Sequence, residues 1–154
     1  MIVRIVVADE REASFFDAEN VKAPLELASK LENPNGRAQR RDLESDRAGR
    51  SFDSTSAHRH AMDGERHSRR WHEQIEFARK IVEEIDHGRV THQFDRLVLI
   101  AGPRMLGLIR DALPAQTGPL IAAEVPKDLA HMDETAIREY VPKEAFRSGS
   151  SARG

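Results

Sequence analysis

The apolar and polar positions of the chain fall into blocks of two periods. The stretch IVRIVVA at 2–8 is rich in β-branched residues, and its nearly continuous apolar character predicts a strand covered on both faces. EASFFDAEN at 12–20 predicts a second strand, paired to the first through a tight turn at Asp9 to Arg11. In APLELASKLEN at 23–33, Leu25, Leu27, Ala28 and Leu31 fall at mixed spacing, so helix and strand both fit. The cluster Asn33-Pro34-Asn35-Gly36 then ends the element. No period is sustained from Arg37 to about Gly64. From about Glu65 to His87, Trp71, Ile75, Ala78, Ile81, Val82 and Ile85 recur at three and four, which predicts an amphipathic helix with these residues inward and Gly88 as its C-terminal cap. FDRLVLIA at 94–101 is the clearest strand. GPRMLGLIRDAL follows it, with Pro103 suited to a first helical turn and Leu106, Ile109, Ala112 and Leu113 on the inner face. PLIAAEV at 119–125 predicts a further strand, and DETAIREYV at 133–141 a closing helix with Asp133 as N-cap.

Two consecutive strand and helix pairs predict an α/β architecture: one domain over 1–147 with a mixed, partly parallel sheet flanked by helices. Within it 37–64 is expected to be a flexible loop, and 148–154 a disordered tail. The length of 154 residues suits a single core without staples. There is no cysteine, which excludes disulfides and thiolate metal sites. The first apolar run is short, broken by Arg4 and ended by Asp9 and Glu10, unlike a secretory leader. No apolar stretch approaches the roughly 18 residues needed to cross a bilayer. A soluble, cytoplasmic protein without membrane contact is therefore expected.

Charge changes this picture more than composition does. The formal charge is -2, yet from Arg37 to Arg70 there are nine arginines, no lysine and six acidic residues. That segment is +3 and the rest -5. Arginine is the planar, bidentate donor suited to phosphate and carboxylate, so its exclusive use points to an anionic partner; a solvated mixed-charge insertion is the plainer alternative. Arg66, Arg69 and Arg70 fall in the early turns of the predicted helix, where cations oppose the macrodipole. That placement also suggests something anionic outside the helix.

Ligands of open α/β sheets sit beyond the C-terminal ends of strands. Three polar clusters fall there: Asp9, Glu10 and Arg11; Gly102, Pro103 and Arg104; Lys127, Asp128 and His131. Together they define a rim on which Asp9, Asp128 and His131 are the catalytic candidates and Arg104 and Lys127 the anion holders. For any one cluster taken alone, turn chemistry is the better explanation. His58 and His60 are two apart, and His67 and His72 five apart, roughly 140° around a helix, so no metal site is expected. Neither a Gly-x-Ser-x-Gly elbow, a phosphate-cradling Gly-Lys-Ser/Thr loop nor a dinucleotide glycine pattern occurs. No cofactor is expected.

ESDRAGRSFDS at 44–54, HRHAMD at 58–63, LVLIAGPRMLGLIR at 97–110 and EVPKDLAHMD at 124–133 stand in the order found in the bacterial family described as proteins required for attachment to host cells, which the chain resembles from about Ile2 to Val141. The family usually has glycine after the first Ala-Asp and proline in the Asp-Arg-Pro-Gly-Arg loop; here Glu10 and Ala48 stand there. The resemblance implies an RNase H-like α/β fold related to the middle domain of eukaryotic and archaeal peptide-chain release factors. Those domains trigger peptidyl-tRNA hydrolysis with a Gly-Gly-Gln tip, which this chain lacks, so hydrolysis does not carry over. Carry-over of a loop reaching toward RNA stays open. The expectation is a non-catalytic module in which Arg47 and Arg50, backed by Arg40, Arg41, Arg59 and Arg69, contact RNA or a ribosomal surface, with Phe52 placed to stack on a base. Two alternatives are a small hydrolase or phosphate-ligand enzyme using the rim, and a protein-interaction module linked indirectly to host attachment.

Overall fold

Residues Val3–Ala8 form β1, in which every residue is buried. They are buried because β1 is the centre of a five-stranded sheet of order β3-β2-β1-β4-β5. The computed structural model describes residues 1–34 and 56–147, and the side chains among them outside 56–67. β2 (Glu12–Ala18) runs antiparallel to β1, and β3 (Glu26–Glu32) antiparallel to β2. β4 (Arg96–Ala101) is parallel to β1, and β5 (Ile121–Val125) parallel to β4. The expected mixed α/β sheet is thus the observed one. The ambiguous stretch 23–33 resolves as an edge strand: β3 has a neighbour on one side only, and Leu27 is 53% exposed, which is why no clean alternation marks it.

Two helices cover one face. On α1 (Ser56–Val90) and α2 (Pro103–Ala112), Phe77, Ile81, Ile85, Leu106 and Ile109 meet Val6, Phe15, Leu97 and Leu99 of the sheet. The other face carries Val3, Ile5, Val7, Phe16, Val98 and Ile100, which pack on Leu25, Leu129, Ile137 and Val141. That cover comes from the loops and from α3 (Glu134–Glu139), whose N-cap is Asp133 as expected: its carboxylate accepts the Ala136 N–H at 2.9 Å. Among the described residues no helix is long and apolar enough to cross a membrane.

The long helix departs from expectation at both ends. It begins at Ser56, so 56–64 is helical and not loop. Nothing in 56–64 repeats at three and four in the sequence, and the first buried side chain described on α1 is Gln74. At the other end the helix runs through Gly88 to Val90. It stops in a Schellman arrangement, with His92 at φ 57°, the Gln93 N–H donating to the Gly88 carbonyl at 2.8 Å and the His92 N–H to that of Arg89 at 3.1 Å. Gly88 serves close approach instead: a Cβ there would lie 2.7 Å from Arg4 Nη1 and 3.0 Å from the Phe94 ring.

Arg4, the one charge inside the first apolar run, is 2% exposed. Its Nε and Nη2 donate to the two carboxylate oxygens of Asp17 at 2.8 and 2.9 Å, and its Nη1 to Gln93 Oε1 at 3.2 Å. Phe94 lies 5.2 Å away. The arginine is therefore a structural tie between β1, β2 and the end of α1.

Thr117, before the 3-10 turn Gly118–Leu120, is fully buried, and its Oγ1 has no hydrogen-bond partner among the described residues. A buried hydroxyl without a partner costs about 1–3 kcal/mol. The near-isosteric Thr117→Val is expected to stabilise the protein by about 1 kcal/mol, raising the melting temperature by about 2–4 °C; calorimetry checks this.

Candidate nucleic-acid interface

The three parallel strands β1, β4 and β5 end on one edge, so the predicted rim exists in the topology. Its first cluster is used to make a turn. Asp9 Oδ1 accepts the N–H groups of Arg11 and Glu12 at 2.8 and 2.9 Å, and Oδ2 accepts from the Arg11 guanidinium at 3.3 Å. The turn is in turn stitched to its surroundings. Gln74 Nε2 donates to Glu10 Oε1 at 2.7 Å, and Asn33 Nδ2 to the Glu10 carbonyl at 2.9 Å. These bonds bring the end of β3 and the body of α1 to one place. The chain leaves β3 toward its arginine-rich stretch from this corner.

Glu10 at the rim and Arg4 at the opposite end of β1 fix the path of α1, since Gln74 meets the first and Gly88 the second. The fourteen helical rises from Gln74 to Gly88 span about 21 Å. The eighteen residues from Ser56 to Glu73 continue the helix past the rim by about 27 Å. Side chains 68–73 are exposed or half-buried. Arg69 and Arg70 accordingly stand well inside a helix and not at its first turn. The macrodipole argument for an anion beside them fails, and any argument must rest on their surroundings.

Those surroundings include Trp71. The helical spacing predicts it inward, but it is 39% exposed, because it lies above the edge where the sheet stops. The Arg104 Cζ sits 4.5 Å from the centre of its ring, joining the start of α2 to α1. Most described arginines elsewhere have a carboxylate: Arg4 has Asp17, Arg11 Asp9, Arg79 Glu76, Arg89 Asp86 and Arg110 Glu124. Hydrogen bonding and charge attraction from Glu124 raise the Arg110 pKa. Arg69, Arg70 and Arg104 have no carboxylate partner among the described residues. Arg138 on α3 and the exposed Arg147 also lack one among the described residues, and the terminal nitrogens of Arg138 are buried.

Of the remaining candidates, Lys127 is exposed with Nζ 5.9 Å from the Tyr140 ring centre, and Asp128 and His131 are exposed on the same rim. Arg40, Arg41, Arg47, Arg50 and Phe52 lie outside the described residues. So do the side chains of Arg59, His58, His60 and His67, although their backbone is helical. His72 is exposed on α1. Among the described residues no group of three or more His, Asp or Glu is placed to hold a metal ion. Sequence reading passed over Trp71 as a surface residue. The available signal was its position, first in the apolar series and directly after Arg69-Arg70.

A mixed five-stranded α/β sheet with a helix extending past its rim defines the class. The chain matches the family described as "Protein required for attachment to host cells" over residues 4–141, and it belongs to that family. No curated protein matches it. Among solved structures it is similar to the archaeal translation termination factor aRF1, with 13% identity and a TM-score of 0.48 over 99% of this chain and 39% of that one. A second similar structure, described as an archaeal protein, shows 13% identity and a TM-score of 0.46, over 99% of this chain and 38% of the other. The chain thus spans about two fifths of each.

Proposed function

We propose that the protein is a non-catalytic module that binds RNA or a ribosomal surface through its arginine-rich segment and the adjoining root of α1. The observation that carries this reading is the segregation of arginines by partner. Arg4, Arg11, Arg79, Arg89 and Arg110 each meet a carboxylate, whereas Arg104, which packs on an exposed indole, and Arg69 and Arg70, which precede that indole on α1, have no carboxylate partner among the described residues. Unpaired guanidinium groups are suited to phosphate oxygens, which supply affinity with steep salt dependence and little sequence information. The arginines of 37–59 precede this turn in sequence and extend the same charge. An enzyme on the rim has less support, since the oxygens of Asp9 are already engaged by Arg11 and Glu12.

The test is binding of the purified chain to ribosomes and to mixed cellular RNA over a salt series, beside an Arg47→Ala, Arg50→Ala double variant. The expected result is affinity that falls linearly in log salt, with a shallower slope and weaker binding in the variant. Negligible binding by both proteins would overturn the reading, and an Asp128→Ala variant in a phosphate-ester screen would then test the rim.

A further inference from the structure

We infer that Trp71 and Arg104 together form a stacking site for one unpaired base of single-stranded RNA, a reading that rests on the proposed RNA binding and specifies its ligand. A large indole left 39% exposed forgoes burial that a core position would supply. As a purely structural contact, a guanidinium on an exposed ring is a small effect. Two further features give the pair a use. Arg104 is itself exposed and has no carboxylate partner among the described residues, so its guanidinium plane is not committed elsewhere. On α1 Arg70 lies about 100° around the helix from Trp71 and Arg69 about 160° around on the other side, and neither has a carboxylate partner among the described residues.

A flat cationic and aromatic surface with a further guanidinium, that of Arg70, roughly a quarter turn around the helix matches one chemical object closely: a planar base attached to a phosphodiester. The base extends the stack of indole and guanidinium, and a neighbouring phosphate meets Arg70. Bases inside a duplex are already stacked on one another, so this site selects single strands. Every base has a π-face, so it does not select sequence. A polyanion without bases engages the arginines but not the ring.

Trp71 is the only tryptophan of the chain, so intrinsic fluorescence reads this site alone. The full chain is titrated with a short oligouridylate, with a blunt-ended RNA duplex and with inorganic polyphosphate. Oligouridylate is expected to quench Trp71, while the duplex and polyphosphate bind with little quenching. Trp71→Ala is expected to weaken oligouridylate binding about 5- to 150-fold, and Trp71→Phe to restore part of it, which separates loss of stacking from loss of fold. Arg104→Lys, which preserves charge but not the planar group, is expected to lose oligouridylate affinity and keep polyphosphate affinity. Unchanged oligouridylate affinity in Trp71→Ala, or equal quenching by polyphosphate, overturns the stacking site and leaves RNA binding standing. Failure of the unaltered chain to bind any RNA overturns both.

Discussion

Asp17→Ala is expected to lower the unfolding free energy by about 3 kcal/mol, the lower end of the range for breaking a buried ion pair, as measured by urea denaturation. The size follows from asymmetry of burial. Arg4 is 2% exposed and Asp17 25% exposed at the side chain, so removing the acid strands a charge that water does not reach. Gln93 Oε1 at 3.2 Å and the Phe94 ring at 5.2 Å are neutral and replace little of the lost carboxylate. The guanidinium is also confined, because the missing side chain of Gly88 makes its space. Solvent at Asp17 weakens the Coulombic part, which places the value at the low end. Replacing both partners, as Arg4→Met with Asp17→Leu, is expected to cost much less than the single change, since no unpaired charge is left behind. A single-variant loss below about 1 kcal/mol would class the pair with ordinary surface bridges.

The same residue shows why parts of this fold were legible and parts were not. The period-two and continuous apolar runs located β1, β2, β4 and β5 because burial on a sheet face is what produces those patterns. Arg4 interrupts such a run without interrupting the strand, since its charge is met by Asp17 directly across in the antiparallel register. Helical periodicity likewise located α1 from about Glu65 onward, because the pattern reports a face turned to a core. The first turns, Ser56 to Gly64, carry no such period in the sequence and were missed. Trp71 is turned outward because it lies above the edge where the sheet stops. Side-chain partners were the least legible feature: in sequence Arg69 and Arg70 have Glu73 one turn away just as Arg79 has Glu76 and Arg89 has Asp86, yet of these four only Arg79 and Arg89 meet a carboxylate among the described residues. That distinction is set by side-chain geometry, and it is where the functional reading begins.

It also provides the sharpest functional comparison, within one helix. Arg69→Gln with Arg70→Gln removes two charges near Trp71, and Arg79→Gln with Arg89→Gln removes two from the exposed side of the same helix over the sheet. On the proposed reading the first pair contacts phosphate, so its loss lowers the slope of log affinity for single-stranded RNA against log salt by about 1.4. If counterion release is the whole contribution, that slope corresponds to about a 25-fold loss of affinity at 0.1 M salt. The second pair is already neutralised by Glu76 and Asp86 at 2.8 and 2.9 Å, and its replacement is expected to leave slope and affinity unchanged. Both double variants lower the net charge by two, so a general electrostatic attraction predicts equal losses. Equal losses would therefore refute a localised interface at the root of α1, and a loss confined to the first variant would place the phosphate contacts beside the indole.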